Sequence, residues 1–186
     1  MLTVRAKPIS ATLALAAVYL VAAAPAVLMP PTLRGLDLAA GLVLACSLVV
    51  LTVIDVRSFR LPDRLTLPLC GLGILVADVL QWDTALARLI AAGVGFLSLV
   101  LVREAYIRWR GRHGLGLGDA KLFAVAGAWT GVAGLPSVLL CGSLLALIAV
   151  GVAAAAGRRV DGQTAIPFGP FLAAGTWLVW LYGSPL

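Results

Sequence analysis

The chain has 186 residues, 62% of them hydrophobic and only 12% charged, with a mean hydropathy of +1.07; no soluble domain of this size carries so apolar a surface. The three cysteines, Cys46, Cys70 and Cys141, lie inside apolar runs without C-x-x-C spacing, which excludes a disulfide framework or a cysteine zinc site. The net charge of +6 does not indicate nucleic acid, because no basic face with interleaved aromatics occurs outside short connecting segments.

The expected fold class is an all-α polytopic membrane helix bundle, one membrane-embedded domain over residues 1–186 with no separate soluble domain. A spanning helix needs roughly 20 apolar residues. Apolar runs at 11–29, 36–54, 65–81, 85–102, 119–134, 136–156 and 166–183 predict about seven spans, with six as the lower count. The first run follows Arg5 and Lys7 and resembles a signal peptide. It is longer than the usual apolar region of one, and Pro30 and Pro31 follow in place of a cleavage site, so a retained span is expected. The second run ends at Asp55, and a basic corner with Arg57, Arg60 and Arg64 leads to the third. A second basic segment, with Arg108, Arg110, Arg112 and His113, separates the fourth run from the fifth, which opens at Asp119. His113 reads as a surface residue rather than a ligand. The last run begins within I-P-F-G-P at 166–170.

Basic residues set the orientation. With the N-terminus in the cytoplasm, all of the 14 Lys and Arg residues except Arg34 and Arg88 fall on the cytoplasmic side. The C-terminus is then periplasmic, and Asp55 and Asp119 share the cytoplasmic membrane face. That placement uses nothing about what the two acids do.

A carboxylate at the end of a membrane helix is costly and needs a reason. Asp55, in I-D-V-R-S-F-R-L-P-D at 54–63, could pair with Arg57 or Arg60. Asp119, in G-L-G-L-G-D-A-K-L at 114–122, could simply cap a helix after a glycine-rich loop. Together they also suit catalysis. Two close acids do not both ionise readily, so the pair shares a proton. The ionised member draws a proton from water, while the protonated member hydrogen-bonds a scissile carbonyl and later protonates the leaving amine. No other catalytic set competes, since one histidine and isolated cysteines support neither a triad nor a metal site. No metal and no cofactor is expected.

Three segments, I-D-V-R-S-F-R-L-P-D-R-L-T-L-P-L at 54–69, G-L-G-D-A-K-L at 116–122 with A-G-A-W-T-G at 126–131, and I-P-F-G-P-F-L at 166–172, resemble the prepilin peptidase family of G-x-G-D membrane aspartyl proteases. The resemblance implies that Asp55 and Asp119 are the catalytic pair. It further implies an inner-membrane aspartic endopeptidase that removes the short basic leader from type IV prepilin or pseudopilin precursors at the cytoplasmic face, with the lipid bilayer as its other partner. Many bacterial relatives carry an N-terminal region with paired C-x-x-C motifs and also methylate the new N-terminus. That region is not found before the first run, so a peptidase-only member is expected.

Around the pair, Gly116 and Gly118 are expected to shape the site by giving the backbone freedom and close approach. Lys121 either tunes Asp119 or is an interfacial lysine. Pro167, Gly169 and Pro170 are expected to form a kinked entry to the last span bordering the site, and Asp63 to act as a helix cap or turn residue. Two rival readings are a proton-coupled membrane transporter and a catalytically inactive scaffold of a pilus or secretion assembly. A transporter prefers acids near the midplane and related halves, whereas these acids share one face.

Overall fold

The computed structural model describes residues 36–58, 61–111, 114–155 and 167–183. The predicted first span at 11–29 lies outside them, as do Arg5, Lys7, Pro30, Pro31, Arg34, Arg60, Arg112, His113, Arg158, Arg159 and Ile166. The described chain is all-helical, with α1 at Leu36–Ser58, α2 at Asp63–Val79, α3 at Ala85–Arg110, α4 at Leu117–Ala155 and α5 at Gly169–Tyr182. Among the described residues, Leu38–Ser58, Ala85–Arg110 and Leu117–Ala155 are long and apolar enough to cross a membrane.

The helix ends follow local chemistry. Pro62, in extended conformation, occupies the cap position of α2, and Asp63 is the first helical residue without a side-chain capping bond. Its charge at a helix N-terminus is favourable all the same. At α3, Thr84 caps the first turn by accepting from the Ala87 amide at 3.2 Å. That helix continues about two turns beyond the predicted end at residue 102. The polar stretch through Arg110 consists of good helix formers, and the stop is Gly111, whose left-handed φ of 67° forms the C-cap.

Between residues 117 and 155 the structure departs from expectation in one place. The predicted gap fell at residue 135, beside Pro136. Pro136 instead stays inside the helix, and the break is at Gly131, with φ 76° and ψ 177°. Glycine adopts such a φ without steric cost. Neighbours show that the chain reverses there. Before the break, Gly127 lies against the Ala91 carbonyl and Gly95 against that of Phe123, so the first limb runs antiparallel to α3. After it, Gly134 meets Val179 and Gly142 meets Leu172, so the second limb runs antiparallel to α5.

Reversal frees carbonyls at the end of the first limb, and in an apolar setting each needs a donor. Arg88 supplies one. Only 8% exposed, it donates from Nη1 to the Trp129 carbonyl at 3.0 Å, and its Nε lies 3.4 Å from Asp83 Oδ2. A cation at the C-terminal end of a helix also complements the helix dipole. The orientation count had set Arg88 apart as one of two basic residues off the cytoplasmic side. Its position is explained by this break.

Small residues bring the helices close, as expected where lipid supplies no hydrophobic drive. A Cβ at Gly95 would fall 2.6 Å from the Phe123 carbonyl oxygen, and one at Gly73 would fall 2.6 Å from the Trp129 ring. Trp129 is locked in turn by donating from Nε1 to the Leu69 carbonyl at 2.9 Å. Substitution at Gly127, which faces the Ala91 backbone, should therefore be costly. Gly127→Val is expected to destabilise the fold by about 1–3 kcal/mol or more. Gly93→Val, with no heavy atom within 4 Å of the added carbon, should be nearly neutral. Thermal unfolding of both variants in detergent checks this, and equal midpoints would contradict the close-approach argument.

Candidate active site

Asp55 lies in the last turn of α1 and is 6% exposed; Asp119 lies in the first turn of α4 and is 9% exposed. The two carboxylates come from different helices and are within electrostatic reach of each other. The fold therefore brings together the two acids that the sequence singled out.

Each acid is held by the start of a helix. The Gly116 amide donates to the Asp119 carboxylate. Gly116 directly precedes α4 and Asp119 is its third residue, so the carboxylate reaches back to the cap position as in the second half of a capping box. Asp119 is thus an acceptor within the first turn rather than the N-cap residue itself. Asp55 accepts from the Gly169 amide, at the first residue of α5. A Cβ at Gly169 would fall 2.5 Å from Asp55 Oδ2, so the acid occupies the space a side chain would need. Pro170 follows in the first turn of α5, where the missing amide hydrogen is no loss. Pro167 and Pro170 are both buried beside this helix start.

Of the two reasons expected for the glycines before Asp119, backbone freedom and close approach, the structure shows the second. Among the described glycines, positive φ occurs at Gly111, Gly131 and Gly183, and not at Gly114, Gly116 or Gly118. Close approach remains as the reason at Gly118, where an added Cβ would lie 3.1 Å from Leu61 Cδ1. A Cβ at Gly114 would meet the Tyr106 ring at 2.5 Å. Lys121 points its ammonium at Asp63, and the two form an ion pair. This gives both residues a partner that the sequence reading did not assign.

Two other residues escaped the sequence reading. Leu61 is buried against Gly118, and only its place in L-P-D hints at a role. Thr52 lies one turn before Asp55 on the same helix, 1% exposed, with a hydroxyl that has no protein partner. Among the described residues no three His, Cys, Asp or Glu side chains gather as a metal site. The chemistry at hand is that of two carboxyl groups and two backbone amides.

A model of the type IV leader peptidase family matches residues 42–151, a range that contains both aspartates. The prepilin leader peptidase/N-methyltransferase of Xanthomonas campestris pv. campestris is 39% identical over 146 residues, covering 78% of this chain and 50% of that protein. That of Dichelobacter nodosus is 40% identical over 152 residues, covering 81% and 51%. That of Aeromonas salmonicida is 39% identical over 147 residues, covering 79% and 50%. The chain spans about half the length of the curated relatives it matches. No solved structure matches it. A family match that covers more than half of the sequence and includes both buried acids leads to one conclusion: the chain belongs to the type IV leader peptidase family.

Proposed function

We propose that this chain is an aspartic endopeptidase of the bacterial inner membrane that removes the short basic leader from type IV prepilin or pseudopilin precursors at the cytoplasmic face. The observation that carries the reading is the convergence of Asp55 and Asp119, from separate helices, at two helix N-termini. The relatives' printed names supply the substrate class.

In this mechanism the pair holds one proton. The ionised carboxylate accepts a proton from water as the water oxygen bonds to the scissile carbonyl carbon. The protonated carboxyl donates a hydrogen bond to the carbonyl oxygen, which carries the developing negative charge. Collapse of the tetrahedral species breaks the C–N bond, and a proton passes to the leaving amine. The Gly116 and Gly169 amides hold the carboxylates in place, so little reorganisation is needed at the moment of attack.

About seven spans, with the N-terminus cytoplasmic and the C-terminus periplasmic, complete the proposal. The predicted span at 11–29 and the two limbs of α4 enter that count. Support comes from the basic residues, all but Arg34 and Arg88 of the 14 lying on one side.

The decisive experiment is co-expression with candidate prepilins from the same genome, with leader removal read by mass. Asp55→Asn and Asp119→Asn are each expected to cut cleavage by at least about 100-fold, with membrane levels unchanged. Full activity in either variant would sink the dyad. Intact leaders with the unaltered chain would favour the scaffold reading, and proton-linked solute uptake would favour the transporter.

Gly169→Ala tests the contribution of α5. The added methyl must displace Asp55, so turnover should fall at least about tenfold, and the clash should also lower the unfolding midpoint. Wild-type turnover would mean that the close seating of Asp55 against Gly169 is not needed.

Orientation is tested with thiols in a variant lacking Cys46, Cys70 and Cys141. A cysteine at Arg110 should react with a membrane-impermeant maleimide only from the cytoplasm, and one at Tyr182 only from the periplasm. The reverse pattern would invert the topology.

A further inference from the structure

We propose that the Asp63–Lys121 ion pair, together with Leu61, is a clamp that seats the first turn of α4 and so aims Asp119 at Asp55. The inference rests on Asp55 and Asp119 being the catalytic pair. It assigns positioning roles to three residues that take no part in the bond changes.

Leu61 and Asp63 lie at the corner where the chain passes from α1, which carries Asp55, into α2. Gly118 and Lys121 are three residues apart in the first turns of α4, so they share one face of that helix. Both meet the corner. Leu61 packs against Gly118, where an added Cβ would fall 3.1 Å from Leu61 Cδ1, and Asp63 pairs with Lys121. One contact is steric and the other ionic, and they grip a single stripe of α4. Asp119 follows Gly118 by one residue, about 100° around the helix axis. With that stripe seated on the corner, Asp119 is turned off it, toward the end of α1.

The clamp acts locally. The close backbone approaches of α4 to α3, at Phe123 and Gly127, lie farther along the helix. They fix α4 from its second turn on, and the clamp holds the first turn, whose amides lack intrahelical partners. The segment that leads in, from Gly114 to Gly116, is non-helical, and the Gly116 amide it carries donates to Asp119. The corner therefore ties Asp119 to the same short segment that follows Asp55, and displacement of one carboxylate is passed to the other.

A positioning role also accounts for the site of the pair. The Lys121 and Asp63 side chains are 31% and 56% exposed, and exposed ion pairs contribute little to global stability. Misplacing a reacting group by about 1 Å can cost on the order of 100-fold in rate. The pair is thus suited to affect turnover more than folding.

The test is steady-state cleavage of a purified prepilin by the full chain in detergent, with thermal unfolding measured alongside. Asp63→Asn and Lys121→Met are each expected to lower kcat about 3- to 30-fold, with KM changed less than about twofold and the unfolding midpoint nearly unchanged. Leu61→Ala should also lower kcat, and because Leu61 is buried it should lower the unfolding midpoint as well. The charge-swapped double variant, Asp63→Lys with Lys121→Asp, should recover most of the activity that either single reversal loses. Wild-type kcat in both single variants would overturn the clamp. A rise in KM alone would also overturn it, by placing the two residues against substrate. A double swap no better than the single reversals would overturn the pairing. Asp55→Asn is run in parallel, since activity in that variant would fail the dyad itself and not the clamp.

Discussion

Two needs are met by one arrangement at the heart of this fold. A carboxylate withdrawn from water must find hydrogen-bond donors, and the first amides of a helix must find acceptors. Asp119 accepts from the cap position of its own helix, and Asp55 accepts from the start of α5. The partial positive charge of two helix N-termini thus faces two acids that repel each other. Without those ends, burial of two neighbouring acids would oppose the docking of α1, α4 and α5. With them, the acids become part of what brings these helices together.

That convergence requires α4 to begin near Asp55 and α5 to arrive at the same level, which in turn requires the chain to turn back between them. The turn is made at Gly131, inside what would otherwise be a helix of 39 residues. Arg88 reaches the carbonyl of Trp129 just before the turn, so the reversal does not leave that acceptor bare in an apolar setting. Around it, Trp177 and Trp180 stack at 5.4 Å, and Trp129 meets Trp180 edge-on at 6.4 Å. One end of the bundle is therefore held by aromatic packing and a buried guanidinium. The other end carries the carboxylates.

Much of this was legible from the residues. Hydropathy and charge are properties of composition, and they indicated a helical bundle with both acids on one face. The acids stood out because each ends or opens an apolar run, where a charge is expensive. What could not be read depended on neighbours distant in sequence. Pro136 is the stronger local breaker, yet the turn is at Gly131, because its position depends on where Arg88 and the close crossing with α3 leave room. Asp63 looked like a cap, but its partner is Lys121, 58 residues away. The length of α3 was underestimated because apolar runs mark only the membrane-facing part of a helix, and α3 continues in polar residues to its glycine stop. Glycines before Asp119 suggested unusual backbone angles or close approach, and the structure shows close contact, with Leu61 and Tyr106, partners that the sequence could not name.

The site also has a consequence for how the protein assembles. Asp55, the Gly116–Asp119 turn and Gly169 come from three parts of the chain, and the last of them begins the final described helix. That helix has only 14 residues, too few to hold itself in place by length. It is seated by close backbone approach: a Cβ at Gly175 would fall 2.6 Å from the Val138 carbonyl oxygen, and one at Gly142 would fall 3.2 Å from that of Phe171. The second limb of α4 supplies both contacts, and it can do so only after the chain has reversed at Gly131. Donation from Gly169 to Asp55 therefore depends on that reversal. Until α5 docks, Asp55 lacks this donor, and its burial is opposed by the neighbouring carboxylate. The acid pair is therefore complete only with α5 docked, because the amide that steadies Asp55 belongs to that helix.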